Sequence, residues 1–452
     1  MKADMVVRGA WIVSPPNRLR GDLLVAGGRV AGIVAPGTGE GATVVEADGL
    51  YLLPGAVDAH VHLQDPGLTH QEDFTTGTGA AAVGGVTTVI EHHRSIPFVL
   101  NADILRDKAA YLASRGLVDY ALFGGVEPDN LDQLRPMWEA GASAFKLFTC
   151  RVHGVSPIYP AQMLDAFREL ASFDAPVLVH AEDDTILTAN ADRLRAAGRK
   201  DFGVIPAWRT REAEQVAVGT TALLARLTGC RVVIAHASHP AICDLVNRER
   251  ALGAKIWVES CPQYFYLTEE EVSRRGPWCK FTPPARDRAA ADAMWQRLEQ
   301  GDIDMICADH APSTREEKSK GLQDIWEAPF GLPGVETVYP LMLTAVNEGR
   351  LSLERLVAAR SQIPAQVYGL WPRKGGLHIG ADADLVLVDM EAEKTLTDED
   401  IVAKVGWTPY SGRRVKGLPV KTFVRGRLVA ENGRPVAEAG WGQFLPGPGA
   451  RQ

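Results

Sequence analysis

Cysteine is scarce in this chain and follows no pattern. Only six of 452 residues are cysteines, at 150, 230, 243, 261, 279 and 307, with no CxxC pair. Most lie in apolar runs such as Met305-Ile306-Cys307-Ala308, so they read as buried thiols of a reducing compartment rather than a disulfide framework. Long apolar runs are missing too, since no stretch nears the ~20 residues that span a bilayer. The opening MKADMVVRGAWIV is too short in its apolar part, and too charged, for a signal peptide. No basic block interrupts a net charge of −8, which argues against nucleic acid or an anionic membrane as partner. No repeat of fixed period is present. The glycine-rich AGGRVAG sits in a β-rich segment without a following helix, so it carries no nucleotide-binding signal. A cytoplasmic, soluble protein is expected.

What is present divides the chain by rhythm. Residues 1–54 read as short strands punctuated by Gly and Pro (MVVRGAWIV, GDLLVAGGRVAGIV, ATVVEA, GLYLLP), and 372–440 do the same with DADLVLVD and VKTFVRGRLVAENGRPV. Two β-rich ends around a different middle are expected to pair into one small β-sandwich domain. The Gly/Pro-rich 441–452 is expected to be a loosely held C-terminal tail. Between the ends, 55–371 contains eight apolar runs, each followed by a helix-like stretch: AVDAHVH, TTVIEH, VDYALFGGV, SAFKLF, PVLVHAE, RVVIAHAS, KIWVESC and IDMICADHAP. Eight strand–helix repeats predict an α/β fold, a (β/α)8 TIM-like barrel, with a doubly wound open sheet as the alternative.

The chemistry lies in how those runs end. His60 and His62 close the first, and two residues apart in a strand they share a side. Lys146 lies in the fourth, His180 ends the fifth, His236 the sixth, and Asp309 the eighth. Taken singly, each has a plain explanation: a satisfied core histidine, a lysine snorkelling to solvent, an aspartate capping a helix. Together they fall on corresponding strand ends, and in a (β/α)8 barrel those ends share the face that carries the active site. Imidazoles and carboxylates suit Zn2+ and similar divalent ions. A cationic lysine suits them only as an N6-carboxylated, anionic group, which bridges two metals ~3.5–4 Å apart.

With these residues go longer stretches: LLPGAVDAHVHL, DPGLTHQEDFTTGTGAAAVGGVTTVIE, FKLF, LVHAE, AHAS, ESCPQYFYLT, FTPPARD, DMICADHAP, APFGLPGVETVYPLML and HIGADADLVLVD. In these the chain resembles, over nearly its whole length, the cyclic amidohydrolases of the amidohydrolase superfamily: dihydroorotases, allantoinases and hydantoinases. The resemblance implies hydrolysis of a ring C–N bond by a metal-bound hydroxide, and a homo-oligomer, dimer or tetramer. It assigns His60, His62 and Asp309 to the more buried metal, His180 and His236 to the second, and carboxylated Lys146 to both. Asp309 would also be the catalytic acid–base group.

Substrate-contact positions depart from the dihydroorotase pattern. The arginine two residues after the second HxH histidine is Gln64 here; the Met-Pro-Asn after strand two reads His92-His93-Arg94; the histidine four residues after the catalytic aspartate is Ser313. Losing a charge-assisted arginine contact weakens binding of an anionic ring by roughly 1.5–3 kcal/mol. Arg94 either compensates for this or is a surface cation. The tyrosine that hydantoinases place five residues after the bridging lysine is Arg151. The expectation is therefore an allantoinase- or hydantoinase-like enzyme acting on a small cyclic amide or ureide. A dihydroorotase with a rearranged carboxylate clamp is the alternative, and a metal-free, non-catalytic assembly protein is the remote one.

Overall fold

In the computed structural model, which describes residues 3–451, the first chain end supplies β1 (Ala3–Ser14), β2 (Asn17–Ala26), β3 (Arg29–Val34), β4 (Gly41–Glu46) and β5 (Tyr51–Pro54). The middle holds β6 (Ala56–Val61), β7 (Val86–Glu91), β8 (Asp119–Gly125), β9 (Ala144–Phe148), β10 (Pro176–His180), β11 (Arg231–Ile234), β12 (Ile256–Ser260) and β13 (Met305–Ile306). Returning to the first sheet are β14 (Leu385–Thr395), β15 (Arg414–Val424), β16 (Arg427–Glu431) and β17 (Arg434–Pro435).

The eight middle strands pair in chain order, every pair parallel. The ring closes where His62 N–H donates to His310 O at 2.7 Å and His310 N–H donates to His60 O at 3.2 Å. These strands are apolar runs rather than alternating ones because both faces are covered. Val57, Ala59, Phe123, Leu178, Val233 and Met305 fill the interior, while Ala56, Val61, Val89, Leu122 and Val179 pack outward among the helices.

One irregularity positions the site. Val57 and Ala59 face the barrel interior, yet Val61 packs outside. The β6–β7 register shifts between Asp58 and Val61. A bulge of this kind exchanges the inward and outward positions, so His60 and His62 turn inward after two apolar residues have already done so.

The nine remaining strands form one mixed sheet, in which β5 from the first end pairs with β14 from the second. Buried charge joins sheet to barrel. Lys374 Nζ donates to Asp384 at 2.8 Å, reaches Asp382 at 2.9 Å and donates to Asp119 of β8 at 2.5 Å. Arg425 adds a second cation on Asp119.

Residues 441–451 are not a loose tail. Leu445 N–H donates to Tyr120 O at 2.7 Å, Gly442 N–H to Gly116 O at 2.9 Å and Gly447 N–H to Gly141 O at 2.9 Å. Leu445 joins the interior cluster with Val57, Phe123 and Tyr368, plugging the barrel. Composition misled here because Gly and Pro carry no periodicity, while backbone pairing needs none. Met1, Lys2 and Gln452 lie outside the described residues. All six cysteines are buried and unpaired. Among the described residues no helix is long and apolar enough to cross a membrane.

Candidate metal centre

The strand ends bring the expected side chains into one buried group. Asp309 Oδ1 lies 3.2 Å from His60 Nε2 and 3.6 Å from His62 Nε2. His180 Nδ1 is 2.9 Å from His236 Nε2, and the His60 and His236 ring centroids are 5.5 Å apart. Two ligand atoms at ~2.0–2.1 Å from one tetrahedral ion stand about 3.3 Å apart, so each set has the spacing of a coordination edge. Asp309 and His236 have positive φ (46° and 39°), as does Gln64 (59°). Non-glycine residues seldom adopt that region, and such strain collects at functional sites.

Burial sets the protonation. It pulls His60 down to about 3, against the pull of Asp309, and His62 and His236 well below the usual imidazole range, where neighbouring positive charge adds to the effect. His180 is lowered by burial as well, opposed by Glu182. At neutral pH all four are neutral, the form that binds a cation.

Each pair contains one histidine steered by a carboxylate that the sequence reading missed. His60 Nδ1–H donates to Glu259 Oε1 at 2.5 Å, which leaves Nε2 as the lone pair facing Asp309. His180 Nε2–H donates to Glu182 Oε2 at 2.8 Å, freeing Nδ1 toward His236. Orienting carboxylates of this kind fix tautomer and ring angle at metal centres. Both lie inside quoted motifs, ESCPQYFYLT and LVHAE; the Glu259 contact spans 199 residues and cannot be read from spacing, whereas Glu182 stands only two residues after His180. Glu182 Oε2 also accepts from Arg209 at 2.7 Å and Thr282 at 2.6 Å. Burial pushes the Glu182 carboxyl up, but Arg209, His180 and Thr282 outweigh it and hold it at about 2. Cys150 lies beside this group, and Arg209 occupies the space between its thiol and Glu182.

Lys146 Nζ is buried and without a hydrogen-bond partner. Burial lowers its ammonium, a loss that Glu259 and Asp309 only partly offset. Burial raises the Glu259 carboxyl in turn, against the pull of Lys146. A buried lysine without a hydrogen-bond partner, its ammonium destabilised by burial, suits carboxylation by CO2. The donor set therefore fits a divalent metal site.

The remaining expected residues divide. Arg94 is half-buried, its Nε buried and unpartnered, and burial lowers it to about 10 against the pull of Glu91 and Asp309. Gln64 is buried and donates through Nε2 to Pro312 O at 3.2 Å. Ser313 is buried, its carbonyl accepting the Trp407 indole N–H at 2.9 Å. Arg151 is exposed, with its backbone N–H held by Asp184. His310, beside Asp309, is committed to structure: Gly334 N–H donates to its Nδ1 at 3.0 Å, and its Nε2 faces Glu72.

Comparison with known proteins agrees with this geometry. Residues 51–429 match the model of the amidohydrolase family. The chain belongs to that family. This amidohydrolase is 36% identical to an L-hydantoinase of Paenarthrobacter aurescens over 98% of both chains. It is 37% identical to a dihydroorotase of Halobacterium salinarum, covering 90% of this chain and 95% of that one. It is also 33% identical to an allantoinase of Deinococcus radiodurans over 96% of each. The solved L-hydantoinase (dihydropyrimidinase) from Arthrobacter aurescens superposes with a TM-score of 0.96 at 36% identity, covering 98% of this chain and all of that one. The amidohydrolase carries the barrel and end-sheet architecture expected from its sequence.

Proposed function

We infer that this amidohydrolase opens the ring of a cyclic amide, ureide or imide by hydrolysing a C–N bond. The observation that carries the reading is the convergence of His60, His62, His180 and His236 with Asp309 on one barrel rim, beside an unpartnered Lys146.

Two divalent ions of the zinc type, held by His60, His62, His180, His236, Asp309 and N6-carboxylated Lys146, would supply hydroxide at neutral pH and polarise the ring carbonyl. The protein's own part is proton management and positioning. The Asp309 carboxylate takes the nucleophile's proton and hands it to the departing ring nitrogen, serving as base and then acid. Glu259 and Glu182 hold His60 and His180 in one tautomer. The barrel wall excludes bulk water from the rim, which strengthens each of these interactions.

Substrate contacts are assigned to Gln64, Arg94 and Ser313. Arg94 has the strongest support, because its guanidinium is felt by Asp309 and His62. It supplies a cation where the dihydroorotase clamp has lost one. An apolar cluster of Phe148, Val152 and Val155 with Phe98, Trp208 and Phe330 lies against His93 and His180. That wall suits an apolar ring substituent and favours a hydantoin or dihydropyrimidine over dihydroorotate. The enzyme is further proposed to act in the cytoplasm as a dimer or tetramer, which light scattering of the purified protein tests.

A spectrophotometric panel of hydantoins with apolar substituents, allantoin, dihydropyrimidines and dihydroorotate decides the substrate. Turnover of the apolar hydantoins is expected; turnover of dihydroorotate alone would establish the rearranged clamp instead.

A further inference from the structure

The roles assigned above leave His92 unused. It follows directly on β7, the strand beside β6, and its backbone is pinned: its N–H donates to Val61 O at 3.1 Å and its carbonyl accepts from Lys108 Nζ at 2.9 Å. The side chain is 1% exposed, and neither ring nitrogen has a hydrogen-bond partner. Leaving such an atom unpaired costs about 1–3 kcal/mol, so the fold gains nothing from this imidazole unless something binds it.

Its neighbours identify what binds. The ring centroid is 4.4 Å from that of His60 and 4.2 Å from that of His62, with Phe123 of the interior on another side at 4.8 Å. One nitrogen from each of His60, His62 and His92 lies within 4.8 Å of the others. His93 makes the contrast: its nitrogens are equally unpartnered, but its ring faces Phe98 and Phe148, and it joins no such cluster.

We propose that His92 is a third imidazole ligand for the cation bound by His60 and His62. This rests on the metal-dependent reading above and adds a donor where the dihydroorotase pattern has the methionine of Met-Pro-Asn. The His92 ring lies within 13° of parallel to His60. Ligation therefore requires the ring to turn out of that stack about its Cβ–Cγ bond, a broad torsion. A third neutral nitrogen tilts this site toward the later first-row ions and away from Mn2+, whose affinity for nitrogen donors is weaker.

The test uses the full chain, stripped of metal by a chelator and titrated with Co2+ and Zn2+ in bicarbonate buffer. Wild type should bind two ions. In His92→Phe, which keeps the ring stack and removes both nitrogens, one of the two binding steps should weaken by roughly tenfold or more, the other staying put. His92→Gln serves as the second variant should Phe fail to fold. A crystal structure of the zinc-loaded wild type should place a His92 nitrogen at bonding distance, ~2.0–2.1 Å. Two ions bound with wild-type affinity by His92→Phe, or a zinc-loaded structure with His92 still stacked on His60, overturns this inference while leaving the binuclear reading intact. A wild type that binds fewer than two ions overturns both.

Discussion

The two halves of the metal centre are built alike and charged differently. In each, one histidine is steered by a buried carboxylate, His60 by Glu259 and His180 by Glu182, while its partner keeps a free remote nitrogen (Nδ1 of His62 and of His236). On the His180 side the carboxylate is matched by a buried guanidinium and a hydroxyl, so it is a fixed anion with no metal needed. On the His60 side burial works against both the Glu259 carboxylate and the Lys146 ammonium, and each is pushed toward its neutral form. One half is finished by the protein alone. The other, on the reading proposed above, would be completed by CO2 and cations.

Lys146→Ala removes the group on which the unfinished half depends, and should have the largest effect. Ring-opening activity is expected to fall on the order of 10³-fold or more, with bound metal dropping below two ions per chain by elemental analysis. On the finished half, Glu182→Gln should instead show up in stability. It strands Arg209 as a buried cation, at a cost of about 3–5 kcal/mol, read as a lowered midpoint in denaturant. An unchanged midpoint would erase the contrast drawn here.

Acid sharpens the same comparison. The folded Glu182 carboxyl is held at about 2 against an ordinary 4.5. Above pH 4.5 its contribution is complete; as pH falls from 4.5 toward 2 the unfolded chain takes up the proton first and stability is lost, roughly 3 kcal/mol in all. Denaturant melts between pH 5 and 3 should show that slope in wild type and a flatter one in Glu182→Gln. At the mouth, Arg94→Gln should weaken binding of an acidic-ring inhibitor by roughly 1.5–3 kcal/mol and leave that of neutral rings nearly unchanged. The smallest expected effect is that of Glu259→Gln, about tenfold in metal affinity with little change in melting, since its hydrogen bond is to an imidazole and not to a guanidinium.

Much of this was legible in the sequence, because a strand buried on both faces has no reason to end in a polar residue. His60, His62, Lys146, His180, His236 and Asp309 break that pattern at the positions a barrel brings together. TTVIEH ended the same way, so the signal for His92 was present in the run itself. What stayed hidden was relational. Glu259, within the run KIWVESC, and Glu182, just past the end of β10, show no partner until the fold sets each against a ring, and the β6 bulge that turns His60 inward leaves no mark on composition. The plug formed by Leu445 was invisible for the same reason.

That plug has a consequence for how the protein is made. The eight barrel strands are complete at Ile306, whereas the end sheet gains β14 to β17 only between Leu385 and Pro435, and the interior cluster gains Leu445 later still. A chain that stops short of Leu445 leaves the floor of the barrel open beside Val57, Phe123 and Tyr368. The last strand of the sheet and the residue that seals the floor are thus added in that order, both after every strand of the barrel.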